Sequence, residues 1–174
     1  MYGLPLLRIA VAAPLLVLPA CGDDDEPAAP AATSFSATLS GANEVPPVPT
    51  TATGSATLTL TGDQIDYTIN VTDLQNAVVS HIHIAPEGEN GPVRMNLCGT
   101  GDPEPPCTSG TGVLATGTNG TTVGSPAITF DSLVSAMRTG GAYVNVHTDD
   151  GQGDPNTGPG DMASGEIRGQ VVAN

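Results

Sequence analysis

The sequence predicts an all-β protein, an antiparallel β-sandwich carrying one short helix. Three observations lead there. The 174 residues include 22 Gly and 16 Pro but only three Tyr, two Phe and no Trp, a turn-rich composition built on small and β-branched side chains. Apolar residues recur with a period of two, the spacing that places alternate side chains on one face of a strand. Gly, Pro, Asn and Asp punctuate these runs at short intervals, as expected for many short strands.

The elements follow in order. Phe35, Ala37 and Leu39 alternate with Ser36, Thr38 and Ser40, the pattern of a half-buried strand. Pro46, Pro47 and Pro49 exclude a central strand from the next segment, because proline cannot donate to a ladder. Ser55–Thr61 and Gln64–Val71 form the clearest hairpin, joined by Gly62 and Asp63. Val78–Ala85, Val93–Leu97, Gly112–Thr116, Ala127–Phe130, Tyr143–His147 and Gly165–Val172 complete about nine predicted strands. Leu133, Val134 and Met137 share one face of a short helix, with Asp131 as its N-cap and Gly140-Gly141 as its stop.

Charge excludes one class of partner. Eighteen acidic residues stand against four arginines and no lysine, giving a net charge of −14. Such a chain repels phosphate backbones, so nucleic acid is not a partner.

The N-terminal segment reads as a targeting signal. Residues 1–20 carry Arg8 and an apolar run, Ile9–Leu18, too short to span a bilayer. The run ends Leu18-Pro19-Ala20-Cys21, and a small residue before a cysteine resembles the lipobox of bacterial lipoprotein signals. That resemblance implies cleavage after Ala20 and lipidation of Cys21 with diacylglycerol and palmitate-type acyl chains. The alternative is an ordinary signal peptide cleaved at Ala20, and both export the chain. Residues 21–33 are acidic and then Pro/Ala-rich, a tether with nothing to bury. The folded domain is expected over 34–174. The expected location is the bacterial cell envelope, facing the periplasm or the cell surface, and Gly22 resembles the pattern that permits outer-membrane sorting. The membrane partner would be reached through the Cys21 lipid.

Three cysteines are an odd number. With Cys21 acylated, Cys98 and Cys107 remain as a pair, and an oxidising compartment favours a disulfide between them.

The candidate chemistry lies with the three histidines. His81 and His83 share one face of their strand, while Ile82 and Ile84 face the core. In the strand Tyr143–His147, Val144 and Val146 suit the core, so Tyr143, Asn145 and His147 face outward. Were the two strands neighbours, His81, His83 and His147 would meet on one exterior patch. Such a set suits Cu or Zn, with Glu44 as a candidate fourth ligand, or one of Asp149, Asp150 and Asp154. Neutral imidazole is required, so affinity should fall as pH drops through about 6.5. The competing reading is an ordinary polar surface cluster. The acidic loop Asp149–Asp161 offers calcium, but its spacing does not fit the helix–loop–helix calcium pattern, and a hydrated acidic loop is the preferred reading. No nucleophile elbow, phosphate loop or dinucleotide fingerprint is present, so no catalytic residue is assigned.

Several segments together resemble the CHRD domain, named for its occurrence in chordin. They are Phe35–Pro47, Ala77–Ala85 with its His81-Ile82-His83, Gly91-Pro92-Val93, Tyr143–Thr148 and Gly165–Gln170. The resemblance covers about Ser34 to Val172 and implies an extracytoplasmic β-sandwich without a defined biochemical activity. Chordin's role depends on other modules and does not transfer. A looser likeness joins the domain to Cu/Zn superoxide dismutase, a β-sandwich with an exterior His-x-His copper site. Three histidines cannot furnish both metal sites of that enzyme, so a single-metal site is the most that this likeness implies. Three functions stand open: first a non-enzymatic surface module that engages a protein or glycan partner, second a periplasmic Cu- or Zn-binding protein or metal-dependent redox enzyme, and third a structural role in which calcium stiffens the acidic loop.

Overall fold

The computed structural model describes residues 31–101 and 103–174. The expected signal segment 1–20, the lipidation site Cys21 and most of the expected tether lie outside them. Among the described residues no helix is long and apolar enough to cross a membrane.

Among the described residues, nine strands form one antiparallel sheet. They are β1 (Ser34–Ser40), β2 (Thr53–Thr61), β3 (Gln64–Leu74), β4 (Ala77–Ile84), β5 (Val93–Cys98), β6 (Gly110–Asn119), β7 (Ala142–Thr148), β8 (Ile167–Gln170) and β9 (Val172–Ala173). The spatial order is β5-β4-β7-β8-β1-β2-β3-β6, with β9 beside β1. The sheet coils on itself until its two ends meet. The Asn119 side-chain amide on β6 donates to the Asn96 carbonyl on β5. From β3, the Tyr67 hydroxyl crosses the core to the Leu97 carbonyl. The result is a nearly closed barrel rather than two separate sheets, and in this detail it differs from the sandwich expected.

Alternation places the core as the sequence indicates. Phe35, Ala37, Leu39, Ala56, Leu58, Ile65, Tyr67, Ile69 and Val71 are all buried. The β2–β3 hairpin turns at Gly62, whose φ of 60° is reached by glycine without steric cost.

Three local expectations need correction. Ala127–Phe130 is not a strand: after Pro126 the chain is irregular until helix α1 (Phe130–Arg138) begins. That helix is capped by Thr129, whose side chain accepts from the Ser132 N–H, and Asp131 sits in the first turn instead. The segment Gly165–Val172 is interrupted at Val171, whose N–H donates to the Ala142 carbonyl on β7 before Val172 and Ala173 move over to pair with β1.

Cys98 and Cys107 are disulfide-bonded, with Cα atoms 5.2 Å apart. The bond ties the end of β5 to an irregular segment that buries little apolar surface. Replacing Cys107 with Ser should lower unfolding free energy by about 2–3 kcal/mol, the chain-entropy value for a loop of this length. Guanidinium denaturation of wild type and variant measures this directly.

Candidate metal centre

Strands β4 and β7 are neighbours, and their register builds the site. His83 stands opposite Tyr143, His81 opposite Asn145, and Val79 opposite His147. The alternate residues Ile82, Val144 and Val146 are fully buried on the core side. Pleat parity therefore sends His81, His83, Tyr143, Asn145 and His147 to the other wall. On the far side of β7, Arg168 of β8 stands opposite Asn145.

The three imidazoles converge as their parity indicates. Ring centroids are 5.2 Å apart for His81 and His147, 5.6 Å for His81 and His83, and 6.0 Å for His83 and His147. One ligand nitrogen from each ring falls within 4.8 Å of the others. His81 Nδ1 and His147 Nε2 are 3.4 Å apart. Two nitrogens bound at about 2.0–2.1 Å in a tetrahedral site stand roughly 3.3–3.4 Å from each other.

Backbone carbonyls fix the tautomers. His83 Nδ1 lies 2.9 Å from the Gly91 carbonyl oxygen and His147 Nδ1 lies 3.0 Å from that of Ala163. A carbonyl can only accept, so each Nδ1 carries the proton and each Nε2 keeps its lone pair. Metal-binding histidines are oriented by the same kind of bond from the non-ligating nitrogen. His83 Nε2 is buried and has no hydrogen-bond partner, an expensive state for a polar atom.

The wall is not an open surface, contrary to the exterior patch expected. His83 is 7 % exposed and Tyr143 2 %, because the loops that supply Gly91 and Ala163 fold over it. Burial is the main reason the histidines resist protonation. It pushes His81 down to about 4, helped by the neighbouring charges of His147 and His83. His83 also falls to about 4, mainly through burial, with His147 and Arg168 adding to the effect against the opposing Gly91 bond. Burial lowers His147 as well. Protonation of His81 and His83, expected near 6.5, is thereby displaced towards pH 4.

Glu44 does not join the ligand set. Its Oε2 faces Arg168 Nε at 3.9 Å, and its Oε1 is buried without a partner. Burial raises its carboxyl to about 7 against the lowering effects of Arg168 and the Val45 N–H. Asp149 and Asp150 group instead with Asp161. There, Asp149 and Asp150 each accept a loop N–H two residues on, and Asp161 accepts from Thr157, so the loop's own backbone engages them. Asp154 belongs to neither group.

The sequence reading passed over Arg168. Its guanidinium sits 4.6 Å from the centroid of the Tyr143 ring, and that ring stacks on His83 at 4.8 Å with 11° between planes. Arg168 Nε donates to the Asn43 carbonyl, and Nη1 donates to the Glu89 carbonyl and to Asn90 Oδ1. A signal was available: Arg168 is one of only four cations in the chain, on a short strand where such a charge is kept only if it is held.

Against known families, the CHRD domain profile matches residues 35–154, more than half of the chain. The protein is a member of the CHRD domain family. CHRD domains are small extracellular-type binding modules. The matched span contains His81, His83 and His147 and stops short of Arg168. Among curated proteins none matches the chain.

Proposed function

We propose that this CHRD domain is an exported module, anchored through a lipid on Cys21, that binds one copper or zinc ion. The ligand atoms are His81 Nδ1, His83 Nε2 and His147 Nε2. The observation that carries the reading is the pair of carbonyls that take the protons of His83 and His147, leaving lone pairs that converge on His81. A polar surface cluster has no need to bury His83 Nε2 without a partner. The proposed domain organisation is a signal segment over 1–20, a lipidated tether over 21–33 and the binding domain over 34–174.

Metal retention tests the site. After loading with Cu or Zn and desalting at pH 7, one ion per chain is expected, with His83→Gln and His147→Gln each losing it. A wild-type protein that retains no metal overturns the reading. Retention should persist at pH 5.5 and fail near pH 4, following the lowered histidines.

Family membership favours a second reading, a non-enzymatic surface module that engages a protein or glycan partner. The same histidine variants separate the two, since partner binding on this reading survives them.

A further inference from the structure

Three candidates stand out beyond the histidines: the acidic group of the 149–161 loop, the cleft where Glu44 meets the proline segment, and the cation stacked behind His83. The first is engaged by its own loop, and nothing buried and unpartnered points into it. In the second, a side chain on Gly165 would begin only 2.9 Å from Glu44 Oε1 and 2.6 Å from the Asn145 amide nitrogen, so the orphaned acceptors are packed against the Gly165 backbone, and nothing in the cleft identifies a ligand. The third carries an inference.

We propose that the ion taken by the three imidazoles is copper in its cuprous state, and that Arg168 is the residue that sets this preference. The proposal rests on the metal-site reading above and deepens it.

The donor set comes first. Three neutral nitrogens bring no negative charge, and among the described residues no carboxylate or thiolate joins them within 4.8 Å. The cost of desolvating an ion grows with the square of its charge, so a divalent ion entering this half-buried wall pays about four times the monovalent price. A structural zinc site takes four protein ligands, and the carboxylate that could complete such a set here is turned to Arg168.

The field comes second. Arg168 is 4 % exposed and reaches the site through a continuous stack, its guanidinium on the Tyr143 ring and that ring on His83. It also faces Asn145, which in turn faces His81. Its positive charge at the end of this stack disfavours each added charge on a metal bound there. A unit charge on the order of 9 Å away, at an effective dielectric of about 20–25, changes the relative affinity for Cu(II) and Cu(I) by roughly tenfold. For a one-electron couple that is ~59 mV. Glu44 opposes Arg168 at 3.9 Å, so the two residues set the field in opposite directions.

The test is the copper reduction potential of the loaded protein, measured at pH 8.5 where Glu44 is ionised, together with cuprous and cupric affinities from chelator competition. Wild type should bind Cu(I) more tightly than Cu(II) or Zn(II). Arg168→Gln should lower the potential by about one decade of affinity ratio, and Arg168→Lys should keep most of it. Glu44→Gln should raise the potential, a second arm with the opposite sign that stands even if the arginine variant folds poorly. Metal bound with equal cuprous and cupric affinity, or a potential unmoved by Glu44→Gln, overturns the cuprous assignment while leaving the metal site intact. A wild-type protein that binds no metal in either state overturns both.

Discussion

Replacing Gly91 with Ala should cost more than about 3 kcal/mol of stability and abolish metal retention. A methyl there would begin 2.0 Å from the Ile84 carbonyl oxygen and 2.6 Å from its carbon, both backbone atoms that cannot rotate away. Relief requires the turn after β4 to move. That turn carries the Gly91 carbonyl that orients His83 and the Gly91 N–H that donates to the Tyr143 hydroxyl. Overpacking of this kind costs about 1–3 kcal/mol, and each lost hydrogen bond adds about 1 kcal/mol. Gly88 is the control within the same turn. Its φ of 82° strains any side chain, but a methyl there meets nothing within 4 Å. Gly88→Ala should therefore cost only about 1 kcal/mol and spare the metal. Chemical denaturation of the two variants, run beside metal analysis, checks both halves; equal costs would show that the steric argument is wrong.

Acid should unfold the metal-free protein through its histidines. His81 and His83 have folded-state values near 4 against 6.5 in the unfolded chain. Between those values the unfolded state binds more protons, so stability is fully present above pH 6.5 and is lost as pH falls towards 4. For His83, which is buried, the shift corresponds to about 3 kcal/mol. Glu44 works in the other direction. Its carboxyl is raised to about 7, so the folded state binds the extra proton, and this contribution to stability is lost as pH rises from about 4.5 to 7. Two lowered histidines outweigh one raised carboxyl, and stability should still climb from pH 4 to 6.5. In a chelator, unfolding free energy measured across this range should lose most of its slope in His83→Gln, where one lowered histidine is left against one raised carboxyl, and become steeper in Glu44→Gln. An unchanged slope in His83→Gln would mean that its imidazole titrates normally.

Pleat parity explains how much of this site could be read from residues alone. His81 and His83 must share a face if Ile82 is to enter the core, and the same argument fixes His147 against Val144 and Val146. Adjacency of the two strands is not readable from the residues, since β4 and β7 are separated by β5, β6 and α1 in the chain. The roof over the histidines was not legible. It depends on the positions of the Gly91 and Ala163 carbonyls, set by glycine-rich loops and by a register irregularity between Ile82 and His83 on the β5 side, and hydrophobic periodicity is silent about these. The helix cap shows a smaller failure of the same kind. Asp131 and Thr129 both have capping side chains, and local propensity does not choose between them; the helix starts at Phe130, which makes Thr129 the cap.

The placement of the three histidines has a mechanical consequence. His81 and His147 are 66 residues apart in sequence, yet they sit on the adjoining strands β4 and β7. An ion shared between them would act as a second covalent-like clasp, closing a far longer stretch of chain than the Cys98–Cys107 bond with its separation of 9. On the same loop-closure scaling it would restrict the unfolded chain by about 4 kcal/mol, against about 3 kcal/mol for the disulfide. A metal-loaded domain displayed outside a cell would then resist extracellular proteases better than its empty form, and its survival time would track the copper or zinc supply around it.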